Sequence, residues 1–172
     1  MLQKVSNTLV IAFTALGFSF ATQALANDYK VDELRQMSQS ELDQVYADAE
    51  AGNVPDGESA GTAVFFPDSG IFNIPSQILA SLFWQGKVFE TEEGLLVNKV
   101  IGFRAIRAEV YRGESLFDGN ESIIIDYSRT SILANPVRDE IREVAPGIYL
   151  GRAYILTLLG AYMGVNFILD FN

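Results

Sequence analysis

The hydrophobic pattern divides the chain into a helical part and a longer part with the alternation of β-strands. Between residues 31 and 52, apolar side chains recur at three- and four-residue spacing, which predicts an N-terminal α-helical segment packed against a larger body. Ser38 and Glu41 form a capping-box signal within it, so two short helices fit the pattern as well as one. The side chains that share the apolar face are Leu34, Met37, Leu42, Val45 and Ala49.

Beyond the linker "GNVPDGESAG" the period of the pattern changes to two. Short apolar segments follow one another with turn residues between them, and Asp118-Gly119 is a hairpin signal. One interruption, "IPSQILASLF", has helical spacing and predicts a short inserted helix over residues 75–83. The predicted strands lie in "GTAVFF", "WQGKVFET", "LLVNKVIGF", "FRAIRAEVYRG", "SIIIDYS", "GIYLGRAYIL" and "GVNFILDFN".

These strands predict a mainly β fold, an antiparallel lipocalin-like (calycin-type) β-barrel over residues 57–172. Seven to nine short strands without a βαβ rhythm are typical of a closed antiparallel sheet. Segments as apolar as "SIIID" and "VNFILDF" would promote aggregation at an open edge, so we expect the first and last strands to pair. A barrel of about eight strands has an interior that side chains fill or that holds one small ligand.

The charged segment "RDEIRE", residues 138–143, is predicted to lie outside this core. Its charges are of mixed sign, Pro136 precedes it and Pro146-Gly147 follows it, which is typical of a connection. If the segment is extended, Arg138, Glu140 and Arg142 share one side. We therefore predict a solvated rim with no part in chemistry.

The first 26 residues predict a cleavable export signal. Lys4 supplies the positive charge, "LVIAFTALGFSF" is a 12-residue apolar run, and Ala24-Leu25-Ala26 is a cleavage signal. The apolar run is too short to span a bilayer comfortably. We expect cleavage after Ala26, a periplasmic or secreted product without an integral membrane segment, and a helix and linker at residues 27–56 ahead of the barrel.

The composition excludes several classes of chemistry. The chain has no histidine and no cysteine, which excludes a Ser-His-Asp triad, a Cys-His pair, haem ligation by histidine and the usual zinc sites. No run of acidic residues matches a calcium loop, so we assign no metal and no cofactor. Without Lys4, the formal net charge of −10 becomes −11, which disfavours nucleic acid and anionic lipid head groups as partners.

The aromatic side chains carry the binding hypothesis. The chain has 12 Phe, 7 Tyr and one Trp, spread over nearly every predicted strand. They either fill the core or line an apolar ligand cavity. Trp84 and Tyr154 suit the solvent-exposed mouth of a cavity, because each has a polar group on an apolar ring. The residues that we predict to bind the ligand are Trp84, Phe89, Arg107, Tyr111, Asp126, Tyr127, Arg152 and Tyr154.

A set of charged residues on the same strands offers polar recognition. Arg107 and Glu109 share a strand face, and an inward arginine would hold a carboxylate with two hydrogen bonds. Arg152 offers the same chemistry on a later strand. The alternative is that these charges form salt bridges on the outside of the barrel. Asp126, directly after "SIII", is the best candidate for a buried acid.

Three stretches carry a resemblance to known families. "GTAVFFPDSG", "LFWQGKVF" and "DYSRTSILANPVRDEIREVAPGIYLGRAY" resemble an uncharacterised family of bacterial exported proteins. The W-x-G-K-x-F motif of Trp84, Gly86, Lys87 and Phe89 is similar, more distantly, to GXWXG-type lipocalin-like domains. The first strand differs from that family, because Ala63 stands where those domains have tryptophan. The resemblance covers residues 57 to 171 and implies a lipocalin-like barrel with no established activity.

These observations lead to three hypotheses of function. The first is an exported barrel that binds a small apolar or amphipathic ligand, such as a fatty acid or another lipid. The second is an enzyme on the same barrel that uses Asp126 with Tyr127 or an arginine for proton transfer on a hydrophobic substrate. The third is an eight-stranded outer-membrane barrel. The sequence leaves the oligomeric state open.

Overall fold

A computed structural model describes residues 28–64, 84–100, 103–132 and 134–172 of the chain, with two α-helices and nine β-strands among them. The helices are α1 (Val31–Leu34) and α2 (Gln39–Asp48). The strands are β1 (Gly57–Glu58), β2 (Ala60–Val64), β3 (Trp84–Glu90), β4 (Leu95–Val100), β5 (Phe103–Glu114), β6 (Glu121–Asp126), β7 (Val137–Ala145), β8 (Ile148–Thr157) and β9 (Gly160–Asp170). The predicted signal, the inserted helix, and Phe65, Phe66, Phe72 and Phe83 lie outside the described residues.

The nine strands form one antiparallel sheet that is nearly closed into a barrel. The strand order is β1-β3-β4-β5-β6-β7-β8-β9-β2, so each strand from β3 to β9 pairs with its neighbour in sequence. β1 and β2, separated only by Ser59, lie at the two ends of this order. β1 pairs with β3 and β2 pairs with β9, from Ala60 opposite Asp170 to Val64 opposite Asn166. The predicted mainly β, lipocalin-like barrel is therefore confirmed, including the pairing of the first strands with the last.

The seam of the barrel depends on two facing glycines and a serine. The Ser59 hydroxyl donates to the Lys87 carbonyl at 3.0 Å and accepts from the Lys87 amide at 3.1 Å, where β1 gives way to β2. Gly86 has φ +134°, and a Cβ on it would lie 2.1 Å from the Ser59 carbonyl oxygen. A Cβ on Gly61 would lie 2.6 Å from the Gly86 Cα. Only glycine allows the two backbones to approach this closely.

The strands have two buried faces, which produces two hydrophobic clusters. The inner cluster lies within the barrel, and its buried members are Ala51, Phe89, Leu96, Ala108, Ile123, Ile125, Tyr127, Ile141, Tyr149, Phe167 and Leu169. The outer cluster lies between the helices and the outer face of the sheet, and its members include Leu34, Leu42, Tyr46, Val64, Leu150 and Ile168. Alternate residues of β8 and β9 contribute to the two clusters, as the two-residue period of a strand requires. None of the described helices has the length and apolar character needed to cross a membrane.

The two helices confirm the two-helix interpretation of the N-terminal pattern. α2 begins with the predicted capping box: the Glu41 amide donates to the Ser38 hydroxyl, and the Ser38 amide donates to the Glu41 carboxylate at 2.7 Å. Arg142 on β7 donates to the carbonyl of Tyr46 at 2.8 Å. Arg152 on β8 pairs with Asp43 at 2.5 Å. These two arginines fix α2 on the outer face of the barrel.

The prediction that residues 138–143 form a solvated rim is wrong. The segment lies within β7, between β6 and β8, and Glu140 and Arg142 are fully buried while Asp139 is 5% exposed. Its charges alternate between the faces as expected for an extended segment, but both faces are covered. The outer side lies under α2 and the connection 115–120, where the Glu140 carboxylate accepts from Ser115 and from the Leu116 amide. Burial thus comes from elements distant in sequence, which the local charge pattern does not reveal.

Consecutive antiparallel pairing places the connections alternately at two ends of the barrel. We call the end with connections 127–136 and 158–159 the upper end. The end with connections 91–94, 115–120 and 146–147 is the lower end. The segment 51–56 reaches the lower end, where Tyr149 donates to the Asn53 carbonyl at 2.8 Å and Thr91 donates to the Pro55 carbonyl at 2.7 Å.

Candidate functional site

A buried lysine stands in the interior of the barrel. Lys87 follows the Gly86 irregularity of β3 and lies opposite Asn98 on β4. Lys87 is only 2% exposed. A lysine is almost never fully buried unless its charge has a partner. The irregularity between Trp84 and Gly86 shifts the register of β3, and Lys87 then shares the interior with Phe89. The backbone conformation at the seam therefore directs the Lys87 side chain into the apolar interior.

Three polar side chains surround the Lys87 ammonium group. It donates to the Tyr127 hydroxyl at 2.6 Å, to Asp139 Oδ2 at 2.8 Å and to Asn98 Oδ1 at 2.9 Å. Tyr127 directly follows β6 and Asp139 is the third residue of β7, so both lie towards the upper end. We call Lys87, Asn98, Tyr127 and Asp139 the polar cluster.

Further hydrogen bonds fix the members of the polar cluster to one another. Tyr127 donates to Asp139 Oδ2 at 3.1 Å, and the Asn98 amide donates to the Tyr127 hydroxyl at 2.8 Å. The same amide donates to the Ile106 carbonyl at 3.1 Å. Ile106 has φ +65°, in the left-handed region that a β-branched residue rarely adopts. Backbone strain of this kind gathers at functional sites and is held in place by surrounding contacts.

Aromatic rings enclose the cation on the other sides. The Lys87 Nζ lies 5.4 Å from the ring centre of Trp84, 5.3 Å from that of Tyr127 and 5.2 Å from that of Phe167. These distances fit cation–π attraction. Trp84 also donates from its indole nitrogen to Asn98 Oδ1 at 3.2 Å and packs edge-on against Phe167. The rings stabilise the charge and give the site an apolar wall.

Burial changes the acid–base properties of the polar cluster. It lowers the pKa of Lys87, and the neighbouring Asp139 carboxylate opposes this change. Burial also raises the pKa of Tyr127 well above its usual value, and the negative charge of Asp139 adds to the rise. Tyr127 is therefore a neutral hydrogen-bonding phenol at neutral pH.

The charges of the polar cluster cancel, and this determines which chemical groups of a ligand it favours. One ammonium and one carboxylate lie 2.8 Å apart, so the site carries no net formal charge. A hydroxyl, a carbonyl or an amide fits such a site better than a carboxylate, which Asp139 would repel. The surrounding rings suit an apolar body attached to that polar group.

The structure brings together three of the eight residues predicted to bind a ligand. Trp84, Phe89 and Tyr127 belong to the inner cluster. Trp84 and Tyr127 contact Lys87, whereas Phe89 lies further along the interior and packs against Phe171 at a ring distance of 5.7 Å.

The other five predicted residues lie outside the barrel interior. Arg107 is exposed, and Tyr111 donates at 3.2 Å to Asp126 on the outer surface. Asp126 and Tyr127 are consecutive and point to opposite faces, so the structure does not support the predicted pairing of these two residues in one catalytic site. Arg152 and Tyr154 contact each other at 3.1 Å on the outer face next to α2. The expectation that Arg107 or Arg152 points inward to hold a carboxylate is therefore corrected.

Lys87, Asn98 and Asp139 are site residues that were not predicted from the sequence. Lys87 was part of the quoted W-x-G-K-x-F motif, and its alternation with Phe89 was a signal that it faces inward. Asp139 was assigned to a solvated rim because its neighbours in sequence are charged. For Asn98, no local signal distinguishes it from a surface residue, since its role depends on contacts with Lys87 on β3 and with Tyr127 after β6.

Comparisons with known proteins bear on the fold alone. Models of protein families and curated protein sequences give no match to this chain. Among solved structures, the chain is similar to the crystal structure of a protein from Thermomonospora curvata, with a TM-score of 0.52 and 14% sequence identity. The similarity covers 78% of this chain and 87% of that one. At this identity it supports the barrel architecture and carries no inference about ligands.

Proposed function

We propose that this protein is an exported binding protein that holds a small amphipathic ligand in the barrel, with the ligand's neutral polar group at the polar cluster. The observation that carries the proposal is the buried Lys87 in contact with Tyr127, Asp139 and Asn98 inside an apolar, aromatic interior. Burying a charge pair costs stability that an apolar replacement would avoid. Ligand sites are where such converging polar groups with perturbed pKa values gather.

Two further observations support the proposal. The strained Ile106 backbone accepts a hydrogen bond from Asn98, a member of the polar cluster. Trp84, with its polar indole tip, lies beside the polar cluster and at the start of β3. The export part of the proposal rests on the N-terminal sequence pattern, and the similarity to GXWXG-type domains stays a prediction.

Trp84 provides a direct test, because it is the single tryptophan of the chain. We would titrate the mature protein with 1-dodecanol and with dodecanoate, which share an apolar chain and differ in the charge of the head group. We expect both to change the Trp84 fluorescence, with tighter binding of the alcohol. Asp139→Asn removes the negative charge beside Lys87, so it should shift the preference towards dodecanoate by about tenfold, equal to 1.4 kcal/mol.

The matched control is Asp126→Asn, which removes a carboxylate from the outer face. It should leave both affinities unchanged. The proposal fails if neither compound changes the fluorescence and native mass spectrometry of the exported protein finds no bound molecule. Cell fractionation tests the export part by itself and separates it from the outer-membrane alternative.

A second candidate function is proton transfer on a hydrophobic substrate in the same barrel. The observation that favours it is the contact of Lys87, whose pKa burial lowers, with the Tyr127 hydroxyl. Tyr127→Phe removes that hydroxyl and keeps the ring. A turnover activity that persists in this variant would exclude the tyrosine from the chemistry.

A further inference from the structure

Apolar side chains are exposed on two neighbouring connections at the upper end of the barrel. Leu158 and Leu159, the two residues between β8 and β9, are 105% and 88% exposed, and Ile132 in the connection 127–136 is 97% exposed. Leu156 and Tyr162, on the adjoining parts of the hairpin, are 38% and 54% exposed. We call these five residues the apolar tip. Exposure of this extent on a soluble surface is a signal of interaction.

The backbone of the apolar tip is well satisfied, so the exposed leucines are part of a defined turn. The Thr157 hydroxyl donates to the Gly160 carbonyl at 3.0 Å and accepts from the Leu159 amide at 3.1 Å. The Leu156 amide donates to the Pro136 carbonyl at 2.7 Å and joins the hairpin to the connection 127–136. Both connections therefore present their apolar side chains from one end of the molecule.

The charges of the protein are distributed unevenly between the two ends. Residues 144–169 contain no acidic residue, and neither do residues 127–138, which include Arg129. The Arg129 side chain is 80% exposed and lies 3.9 Å from the Glu109 carboxylate, and Arg107 on the adjacent β5 is exposed as well. Acidic residues are frequent at or next to the lower end, where Glu90, Glu92, Glu93, Glu114, Asp118, Glu121 and Asp170 lie. Asp126 ends β6 at the upper end and Glu109 lies against Arg129, so the upper end is apolar and less acidic than the lower end.

The shape of the apolar tip fits a lipid surface better than a protein. A stable protein interface needs about 800 Å² from each partner, arranged as a complementary face. Leu158 and Leu159 instead project at a narrow turn and are 105% and 88% exposed. A bilayer accepts single projecting side chains, because each one leaves water for hydrocarbon independently. Exposed arginines beside such a tip lie at the level of lipid phosphates.

We propose that the upper end docks on a phospholipid bilayer, with Leu158 and Leu159 inserted below the head groups and Arg129 and Arg107 among the phosphates. The acidic lower end then faces away from the membrane, and repulsion from anionic lipids orients the molecule. The inference goes beyond ligand binding and does not require it, because none of the residues in the apolar tip belongs to the polar cluster.

Flotation with vesicles of phosphatidylethanolamine and phosphatidylglycerol, mixed 3:1, tests the proposal on the mature protein. We expect the wild type to float with the vesicles and Leu158→Ser/Leu159→Ser to lose about tenfold or more in partition coefficient. The matched control is Leu116→Ser, since Leu116 is 45% exposed in the connection 115–120 at the lower end. It should float like the wild type. Thermal unfolding checks that each variant is folded.

A second measurement reports insertion itself. Leu159→Trp, made in a Trp84→Phe background, should shift its emission to the blue with these vesicles and be quenched by brominated lipid, while Leu116→Trp in the same background should not. The proposal is overturned if the wild type stays with the free protein, or if the double serine variant floats unchanged. It is also overturned if light scattering shows a dimer that the double variant dissociates, because the apolar tip would then be a contact between two copies.

Discussion

Lys87 shows how a single residue is made compatible with the interior of a barrel. Its ammonium donates all three protons to side chains on three other strands or their ends, and three rings cover the remaining directions. The desolvation penalty is thereby offset by one opposite charge, two further hydrogen bonds and cation–π contacts. Removing any one member deprives its buried neighbours of a hydrogen bond.

Lys87→Met is expected to destabilise the protein by about 3–5 kcal/mol, because it leaves the Asp139 carboxylate buried and unpaired. Lys87→Met/Asp139→Leu should regain much of this loss, since an apolar pair has no desolvation penalty. Urea unfolding at pH 7 measures both variants. The control is Arg35→Met, which removes an exposed ion pair with Asp32 at 3.4 Å and should change stability by under about 1 kcal/mol. A double variant as unstable as the single one would contradict this account.

The ion pair of Asp118 with Arg142 is expected to make the stability of the protein depend on pH in the acidic range. Two hydrogen bonds from Arg142, at 2.6 and 2.8 Å, lower the pKa of Asp118 to about 2. Between that pKa and the ordinary value of 3.8, the unfolded chain binds more protons than the folded chain, so the contribution is present above pH 4 and is lost towards pH 2.

The wild type loses stability between pH 5 and pH 2. We expect this loss to be smaller by about 1 kcal/mol in Asp118→Asn, allowing for the partly exposed position. The free energy of unfolding at several pH values gives the two curves to compare. Asp32→Asn, at a side chain that is 85% exposed, is the control. Parallel curves for Asp118→Asn and the wild type would show that the pair with Arg142 does not titrate as proposed.

At the scale of elements, the short segment from β1 to β2 decides whether the sheet closes. It pairs with β3 through Gly57 and Glu58 and with β9 through Ala60 to Val64, with Ser59 as the point of change. Gly86 lies against the Ser59 carbonyl, where its φ of +134° and the lack of space both exclude a side chain.

Gly86→Ala is expected to cost about 2–4 kcal/mol, since the added methyl group must displace the backbone at the seam. Hydrogen exchange should show faster exchange of the Ser59 and Lys87 amides, and urea unfolding gives the total loss. Gly119→Ala is the matched control, because Gly119 also has a positive φ of +77° but no atom lies within 4 Å of the added Cβ. It should cost about 1 kcal/mol. Equal losses in the two variants would mean that the seam tolerates a side chain.

β7 illustrates how far an element can be predicted from its own residues. The alternation of Arg138, Glu140 and Arg142 with Asp139 and Ile141 follows from the extended backbone alone and is confirmed. Burial of both faces does not follow from it, because α2 and the connection 115–120 cover the outer side. The prediction of a rim was wrong for that reason, and Asp139 was missed as a site residue with it.

At the scale of the whole molecule, the barrel separates three chemical environments. The polar cluster lies in the interior, the outer face beneath α2 holds Arg142 and Arg152 in ion pairs, and the apolar tip projects from the upper end. Three of the eight predicted site residues lie in the interior and five lie on the outer side of the sheet, so the single predicted site is divided between two locations. Closure of the sheet is what assigns each alternate residue to the interior or the outer surface.

The sequence by itself determined the class of fold, the helical N-terminal segment, the capping box and most strand positions, because period, turn residues and caps act over a few residues. It also excluded histidine and cysteine chemistry. The tertiary structure alone decided that Lys87 meets Asp139, which is 52 residues away, that the charges of β7 are buried, and that acidic residues concentrate near one end. These properties depend on which strands become neighbours and on what covers their faces, and no local pattern encodes either.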